Sequence, residues 1–275
     1  LEVPFSKIKE ITPGTALIIK KNGTVGEIEV LEEREKKSCT FERIYFSRGN
    51  DRDIYQERKN LGKELAVPII SEIEGDLTNT VFTYIPNTSQ TAFIGLSEAI
   101  DDHLNVEKEK RILQLSSLND LEKIKSILHQ KPRFENLIVK DDKMRTFIAN
   151  DQIRGGLVSH VYDVTYGLVK NDVDTLVVLD DSIVRGTTLK ESIIRILNTL
   201  HPKKIVIVSS APQIRYPDCY GIDMSQLSKF VAFSAMVELL YDTNQDHLLE
   251  ETYDRCLARR ANNELHLKNE LIALY

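Results

Sequence analysis

The chain has little cysteine, no apolar run near membrane-spanning length and no surplus of positive charge. Each shortage closes off a class of function. The three cysteines, Cys39, Cys219 and Cys256, stand far apart with no Cys-x-x-Cys pair among them. That spacing argues against a disulfide framework and leaves too few thiolates for four-cysteine zinc or iron–sulfur ligation, so ordinary reduced thiols are expected. No segment approaches the roughly 20 apolar residues of a membrane helix, and no charged-then-apolar signal segment opens the chain. A formal net charge of −6 gives no electrostatic draw toward nucleic acid or anionic lipid. No G-x-x-x-x-G-K-[ST] stretch occurs, which excludes a Walker-type nucleotide loop. A soluble, cytoplasmic protein without a nucleic-acid or membrane partner is expected.

What is present is an ordinary globular composition. The 275 residues are 41% hydrophobic and 28% charged, enough to bury one substantial core. Residues 16–20 and 26–31 read as two short strands around Lys21-Asn22-Gly23, where Asn-Gly is a strong hairpin signal. A lone hairpin is marginal in water, so this opening reads as the tail of a larger sheet. Beyond it, residues 53–65 read as a helix and residues 80–85 as a short β-branched strand. Residues 91–104 carry Phe93, Ile94, Leu96, Ile100 and Leu104 at helical spacing. Residues 119–129 predict a further helix, with Asn119 as its cap and Glu122 in the capping-box position. Residues 137–139 are a strand candidate, and the polar residues 150–156 read as loop.

The strongest unit follows. Residues 175–179 form a continuous apolar, β-rich run, as in a strand buried on both faces of a parallel sheet. Residues 187–200 predict a helix with Leu189, Ile193, Ile194, Ile196 and Leu197 inward, and residues 204–209 a second apolar strand. A strand–loop–helix–strand crossover of this kind argues for an open α/β sheet. Residues 230–241 and 248–274 read as closing helices.

Chemistry concentrates where that first strand ends, at Asp180-Asp181-Ser182-Ile183-Val184-Arg185-Gly186-Thr187-Thr188. Ligands of open α/β sheets sit beyond the carboxyl ends of the strands. Two adjacent carboxylates there can accept hydrogen bonds from a vicinal diol and contact a hydrated magnesium ion. Gly186 admits a close backbone approach, Thr187 and Thr188 offer hydroxyls, and the N–H groups of the following helix favour a phosphate. Sugar hydroxyls on one side and a phosphate on the other match phosphoribosyl geometry.

This stretch, with Val177-Val178-Leu179 before it, resembles the phosphoribosyl pyrophosphate (PRPP) motif of glutamine amidophosphoribosyltransferase. The resemblance extends through residues 39–48 (Cys39-Thr40-Phe41-Glu42-Arg43-Ile44-Tyr45-Phe46-Ser47-Arg48) and the spacing of Tyr55, Arg58, Asn60 and Gly62. It continues through Ile85-Pro86-Asn87-Thr88-Ser89, Arg145-Thr146-Phe147-Ile148, residues 210–217 and residues 220–224, in family order. The resemblance implies an α/β fold, a type I phosphoribosyltransferase-like open and mainly parallel sheet with flanking helices, plus a remnant of an upstream glutaminase domain. Residues 1–38 would be the tail of that N-terminal-nucleophile domain, residues 39–241 the phosphoribosyltransferase domain and residues 242–275 a C-terminal helical segment. It implies displacement of pyrophosphate from PRPP by ammonia, giving phosphoribosylamine at the first step of purine synthesis, in a homo-oligomer. A non-catalytic PRPP-binding regulator is the alternative.

By the same resemblance, Asp180 and Asp181 hold the ribose hydroxyls and Mg2+, Ser89 assists that metal, and Asn87, Thr88 and Ser89 meet the pyrophosphate. Ser182, Ile183, Val184, Arg185, Gly186, Thr187 and Thr188 cradle the 5′-phosphate. Arg145 and Arg154 lie on the stretch expected to close over the site and meet the leaving group. Departures are also visible. Val161 and Asp163 fall where the family carries Lys and Asn, and Asn87 replaces a glutamate. The chain lacks the N-terminal cysteine nucleophile, so ammonia release from glutamine is not expected of this polypeptide. Residues 105–133 exceed the family's connection and read as a charged, solvated helical face.

Overall fold

The computed structural model describes residues 8–33, 41–115, 120–140, 162–217 and 224–261. The chain divides into two compact units, Leu1–Thr40 and Phe41–Tyr275. In the first, β1 (Thr15–Ile19) and β2 (Val25–Glu29) form an antiparallel hairpin with Ile19 opposite Val25. Its turn is the one the Asn-Gly pair predicts. Gly23 takes φ +84° and donates to the Lys20 carbonyl at 2.9 Å, while the Asn22 carboxamide accepts the Thr24 N–H at 3.1 Å. Apolar side chains on both faces, among them Leu17, Ile18 and Ile28, are exposed.

The second unit holds a four-stranded parallel sheet in the order β4-β3-β7-β8: β3 is Thr80–Tyr84, β4 Arg133–Phe134, β7 Thr175–Asp180 and β8 Lys204–Ser209. A small antiparallel pair, β5 (Ile138–Lys140) and β6 (Tyr162–Val164), forms a separate sheet. Strand β7 is central because every residue of Leu176-Val177-Val178-Leu179 is fully buried. Its period of two divides the core. Leu176 and Val178 pack with Val81, Leu189, Ile193 and Leu197 on one face, and Val177 and Leu179 with Phe82, Ala92, Leu96 and Ile100 on the other.

Helices α2 (Ala66–Glu72) and α3 (Gln90–Leu113) pack on the second face, and α1 (Arg52–Glu64) packs against α3. The first face takes a π turn, Leu189–Ile193, running into α5 (Ile194–Asn198). Helix α4 is Leu121–Leu128, and α6 (Val231–Asp242) and α7 (His247–Ala261) close the described chain. Among the described residues no helix is long and apolar enough to cross a membrane.

Helix α3 runs past the predicted residue 104 to Leu113, so much of the charged 105–133 stretch is its solvated continuation. The cap of α4 is Asp120, whose carboxylate accepts the Lys123 N–H at 3.3 Å. Glu122 therefore sits one position too early for a capping box and instead meets Lys125 at 3.0 Å; Asn119 lies outside the described residues, as do residues 150–156.

Helices α1 and α3 cross with almost no gap. A Cβ on Gly62 would stand 1.8 Å from the Ala92 carbonyl oxygen, and one on Gly95 1.8 Å from that of Lys59. Lys59 and Lys63 both reach Glu98 across the contact, Lys63 at 3.1 Å. At the opposite end of the sheet from the site, the fully buried Asp174 accepts from Arg133 at 2.7 Å and from the Lys170 N–H at 2.7 Å, while Arg133 also bonds the Leu168 carbonyl.

Candidate active site

The strand order itself locates the site. From β3 the chain crosses by α3 to β4 at one edge, and from β7 it crosses by α5 to β8 at the other. The two crossovers diverge from neighbouring strands with their helices on opposite faces, so a crevice opens between the carboxyl ends of β3 and β7. Both motif-bearing loops leave from that crevice. The Ile85 N–H donates to the Leu179 carbonyl at 2.9 Å, so the two loops part at one point of the ladder.

Asp180 is the last residue of β7, opposite Ser209 of β8. Its carbonyl accepts the Ser210 N–H at 3.0 Å, and that of Asp181 accepts the Ala211 N–H at 2.9 Å and the Ser210 hydroxyl at 3.2 Å. The backbone of the acid pair is therefore held by the 209–211 segment while its carboxyl groups stay available. The Asp181 N–H donates to the Asp180 carboxylate at 2.9 Å, and the Ser182 hydroxyl lies 3.4 Å from that of Asp181. Burial, reinforced by the charge of Asp181, pushes Asp180 up to about 8. Burial raises Asp181 too, against hydrogen bonds and the nearby Arg58 guanidinium, which favour its charged form. Two carboxyls so placed share a proton at neutral pH unless a cation or a hydroxyl-rich ligand joins them.

Arg58 was not assigned to the site from sequence. It is buried on the inner face of α1, in line with Ile54 and Gly62, and donates to the Ser47 carbonyl at 2.7 Å and to that of Arg43 at 3.1 and 3.2 Å. The signal was available: a lone arginine four residues from an isoleucine and from a glycine on one helical stripe. Tyr162 and Lys140 were also missed. They face each other across β5 and β6, with the Lys140 ammonium 6.0 Å from the Tyr162 ring centre, and Tyr162 senses the charges of both aspartates. Nothing local in the sequence announces that meeting.

Residues Ser182 to Gly186 are half-buried, and Thr187 and Thr188 are exposed at the start of the helical segment. Gly186 takes φ +69°, and a Cβ there would also press on Val231 at 3.3 Å. The Val231 N–H donates to the Val184 carbonyl at 2.8 Å, so α6 pins the loop from behind. In the loop after β3, Asn87 is exposed, Thr88 half-buried and Ser89 fully buried. The Ser89 hydroxyl donates to the Ile85 carbonyl, bracing the loop from within. Ser89 is fully buried, and that bond ties it to its own loop. Arg145, Arg154 and Val161 lie outside the described residues. Asp163 points to the other side of β6, exposed, its carboxylate accepting the Val164 N–H at 2.8 Å.

Among the described residues no group of three or more His, Cys, Asp or Glu is arranged to hold a metal ion. The donor set at Asp180 and Asp181 nevertheless suits magnesium, which takes one or two carboxylates and completes its shell with water and substrate phosphates.

An open parallel sheet with an acid pair and a Gly-Thr-Thr helix start at its switch point defines an α/β protein with a candidate ligand site at that end of the sheet. Solved structures agree on the fold. The chain superimposes with a TM-score of 0.53 and 27% identity on a structure described as the allosteric regulatory enzyme of purine biosynthesis, covering 87% of this chain and 44% of that one. The glutamine PRPP amidotransferase of Bacillus subtilis in complex with ADP and GMP gives 0.52 and 26%, over 87% and 45%. Among curated proteins the chain is similar to the amidophosphoribosyltransferases of Bacillus subtilis (30% identical, covering 84% of this chain) and Escherichia coli (28%, covering 85%). The chain spans 41% of the length of each of these relatives. No protein-family model matches it.

Proposed function

We propose that this chain binds PRPP across the crevice between β3 and β7 and transfers its phosphoribosyl group to ammonia, the first committed reaction of purine synthesis. The observation that carries the reading is the convergence of the acid pair and both resembling loops on the switch point of a parallel sheet. Asp180 and Asp181 receive the ribose hydroxyls. The loop from Ser182 to Thr188 takes the 5′-phosphate at the start of the helical segment, and Asn87 and Thr88 border the pyrophosphate. Magnesium held at Asp180 and Asp181, when bound, neutralises charge on the departing pyrophosphate.

The nitrogen of ammonia forms a bond to C1 of the ribose as the C1–oxygen bond to pyrophosphate breaks, and the new ammonium group loses a proton. The centre passes through an oxocarbenium-like state, so no protein nucleophile is required. What the protein supplies is position and a water-poor crevice. Arg145 and Arg154 belong to this proposal as the cations that meet the leaving group. So do residues 1–38 as the tail of a glutaminase domain, residues 39–241 as the transferase domain and residues 242–275 as a C-terminal helical segment. Ammonia supplied by that glutaminase domain, a homo-oligomeric assembly and a cytoplasmic location complete the reading.

The test is pyrophosphate release from PRPP by the full chain with magnesium and ammonium chloride, beside an Asp180→Asn control. Release that requires ammonia and disappears in the control supports transfer. PRPP binding in the calorimeter without release would refute transfer and leave the non-catalytic regulator as the better description.

A further inference from the structure

Tyr162 is the one aromatic residue of the β5–β6 pair, and three placements give it a purpose. It shares a face of β6 with the buried Val164 and packs on the rim of the core cluster that contains Ile85 and Leu189. Ile183, from the loop after Asp181, packs against the same cluster. The ring thus packs on the same core cluster that the loops after β3 and β7 use through Ile85 and Ile183. Across the strand pair, Lys140 sets its ammonium over the ring at 6.0 Å, within cation–π range, which brings a positive charge to the same place. Asp163, the intervening residue, is turned to the opposite face and keeps its carboxylate away.

The phenol lies within reach of the field of Asp180 and Asp181, and burial together with that field raises it above its ordinary value. Its hydroxyl is a hydrogen-bond donor. An ammonium and a phenol on one strand pair, beside a crevice that opens next to two carboxylates, form a donor set for a multiply charged oxyanion.

From this arrangement we infer that Tyr162 is a substrate-contacting residue whose hydroxyl donates a hydrogen bond to the pyrophosphate group of PRPP, with Lys140 holding the ring and sharing the charge. The inference rests on the proposed PRPP site and adds a residue to it.

The experiment uses the full chain, wild type and Tyr162→Phe, with three probes in the presence of magnesium: PRPP, inorganic pyrophosphate and ribose 5-phosphate. Phenylalanine keeps the ring, its packing and the cation–π contact and removes only the hydroxyl. Affinity for PRPP and for pyrophosphate is expected to fall about tenfold, the order of a lost hydrogen bond to a charged acceptor, with ribose 5-phosphate binding and Tm unchanged. Equal binding of all three probes by both proteins overturns the assignment of Tyr162. So does an equal loss for ribose 5-phosphate, or a loss that tracks a lowered Tm, since either denotes a role away from the pyrophosphate. A wild-type chain that binds none of the probes overturns the PRPP site itself, and the inference with it.

Discussion

Replacing Asp180 by asparagine should make the ligand-free protein more stable while removing its response to PRPP. Burial and the neighbouring Asp181 lift the Asp180 carboxyl from its ordinary 3.8 to about 8. The folded chain therefore binds this proton more tightly than the unfolded chain does, and unfolding releases it throughout the interval between those values. At about 1.4 kcal/mol per unit, holding the group against ionisation near pH 7 costs at most about 4 kcal/mol. Sharing with Asp181 and solvent at the open side of the crevice leave an expected net penalty of about 1–2 kcal/mol. Asparagine has the same shape, still offers an oxygen to the Asp181 N–H and carries no charge. The variant should unfold at higher urea than wild type at about pH 8.5, and the difference should shrink as the pH falls through the interval toward 4. With magnesium and PRPP at about a hundred times Kd, wild type should gain about 2.7 kcal/mol and the variant almost nothing, so the order of stabilities reverses. A variant less stable than wild type at pH 8.5 without ligand would show that the acid pair is not held at a cost, and the reasoning would fail.

Gly62→Ala or Gly95→Ala should cost about 3 kcal/mol, read as a lower urea midpoint, because either methyl group meets a backbone carbonyl at 1.8 Å and forces α1 off α3. PRPP affinity should fall with it, since α1 carries Arg58. Asp174→Ala should destabilise by about 3–5 kcal/mol, because Arg133 loses its buried partner, yet KM for PRPP in the folded fraction should stay at the wild-type value. Gly186→Ala combines an L-residue at φ +69° with contact on Val231. It should cost about 1–2 kcal/mol and weaken ribose 5-phosphate binding more than pyrophosphate binding, which calorimetry separates.

Sequence reading succeeded where one physical signal was dense. Residues 176–179 announce a doubly buried strand because no polar side chain interrupts them, and the structure buries Leu176 to Leu179 completely. The Asn-Gly turn worked for a similar reason, since few residues accept the φ of Gly23. Readings failed where competing signals were close. Asp120 caps α4 through its carboxylate, a choice that the geometry of the first turn makes and the sequence does not show. The two-residue β4 and the short β6 carry too little pattern to be seen and exist because neighbouring strands offer them partners. Within the site, Asp180 and Asp181 were legible because a charge pair ending an apolar run is locally anomalous. The bond from the Ser89 hydroxyl to the Ile85 carbonyl of its own loop has no local sequence signal, because a sequence does not show which way a hydroxyl turns.

The scaffold also explains how a costly acid pair persists. Asp180 and Asp181 cannot relax outward as a unit, because their carbonyls are held by Ser210 and Ala211 and the strand behind them is fully buried. Nor, among the described residues, does a neighbouring ion pair neutralise them. Arg58, the buried guanidinium whose charge Asp181 senses, is committed to the carbonyls of Arg43 and Ser47. Its position is set by α1, and that of α1 by the glycine contacts with α3. The charge of the pair is thereby moderated but not cancelled, and electrostatic demand is left for what enters the crevice. A stronger internal salt bridge would give a more stable apo protein and weaken the proposed binding of magnesium and PRPP. Moving Arg58 away by Gly62→Ala should therefore raise the pH at which the ligand-free pair ionises, even in protein that remains folded. Carboxylate-resolved NMR titration of the two aspartates measures that shift, and an unchanged titration in a variant with displaced α1 would separate Arg58 from the acid pair.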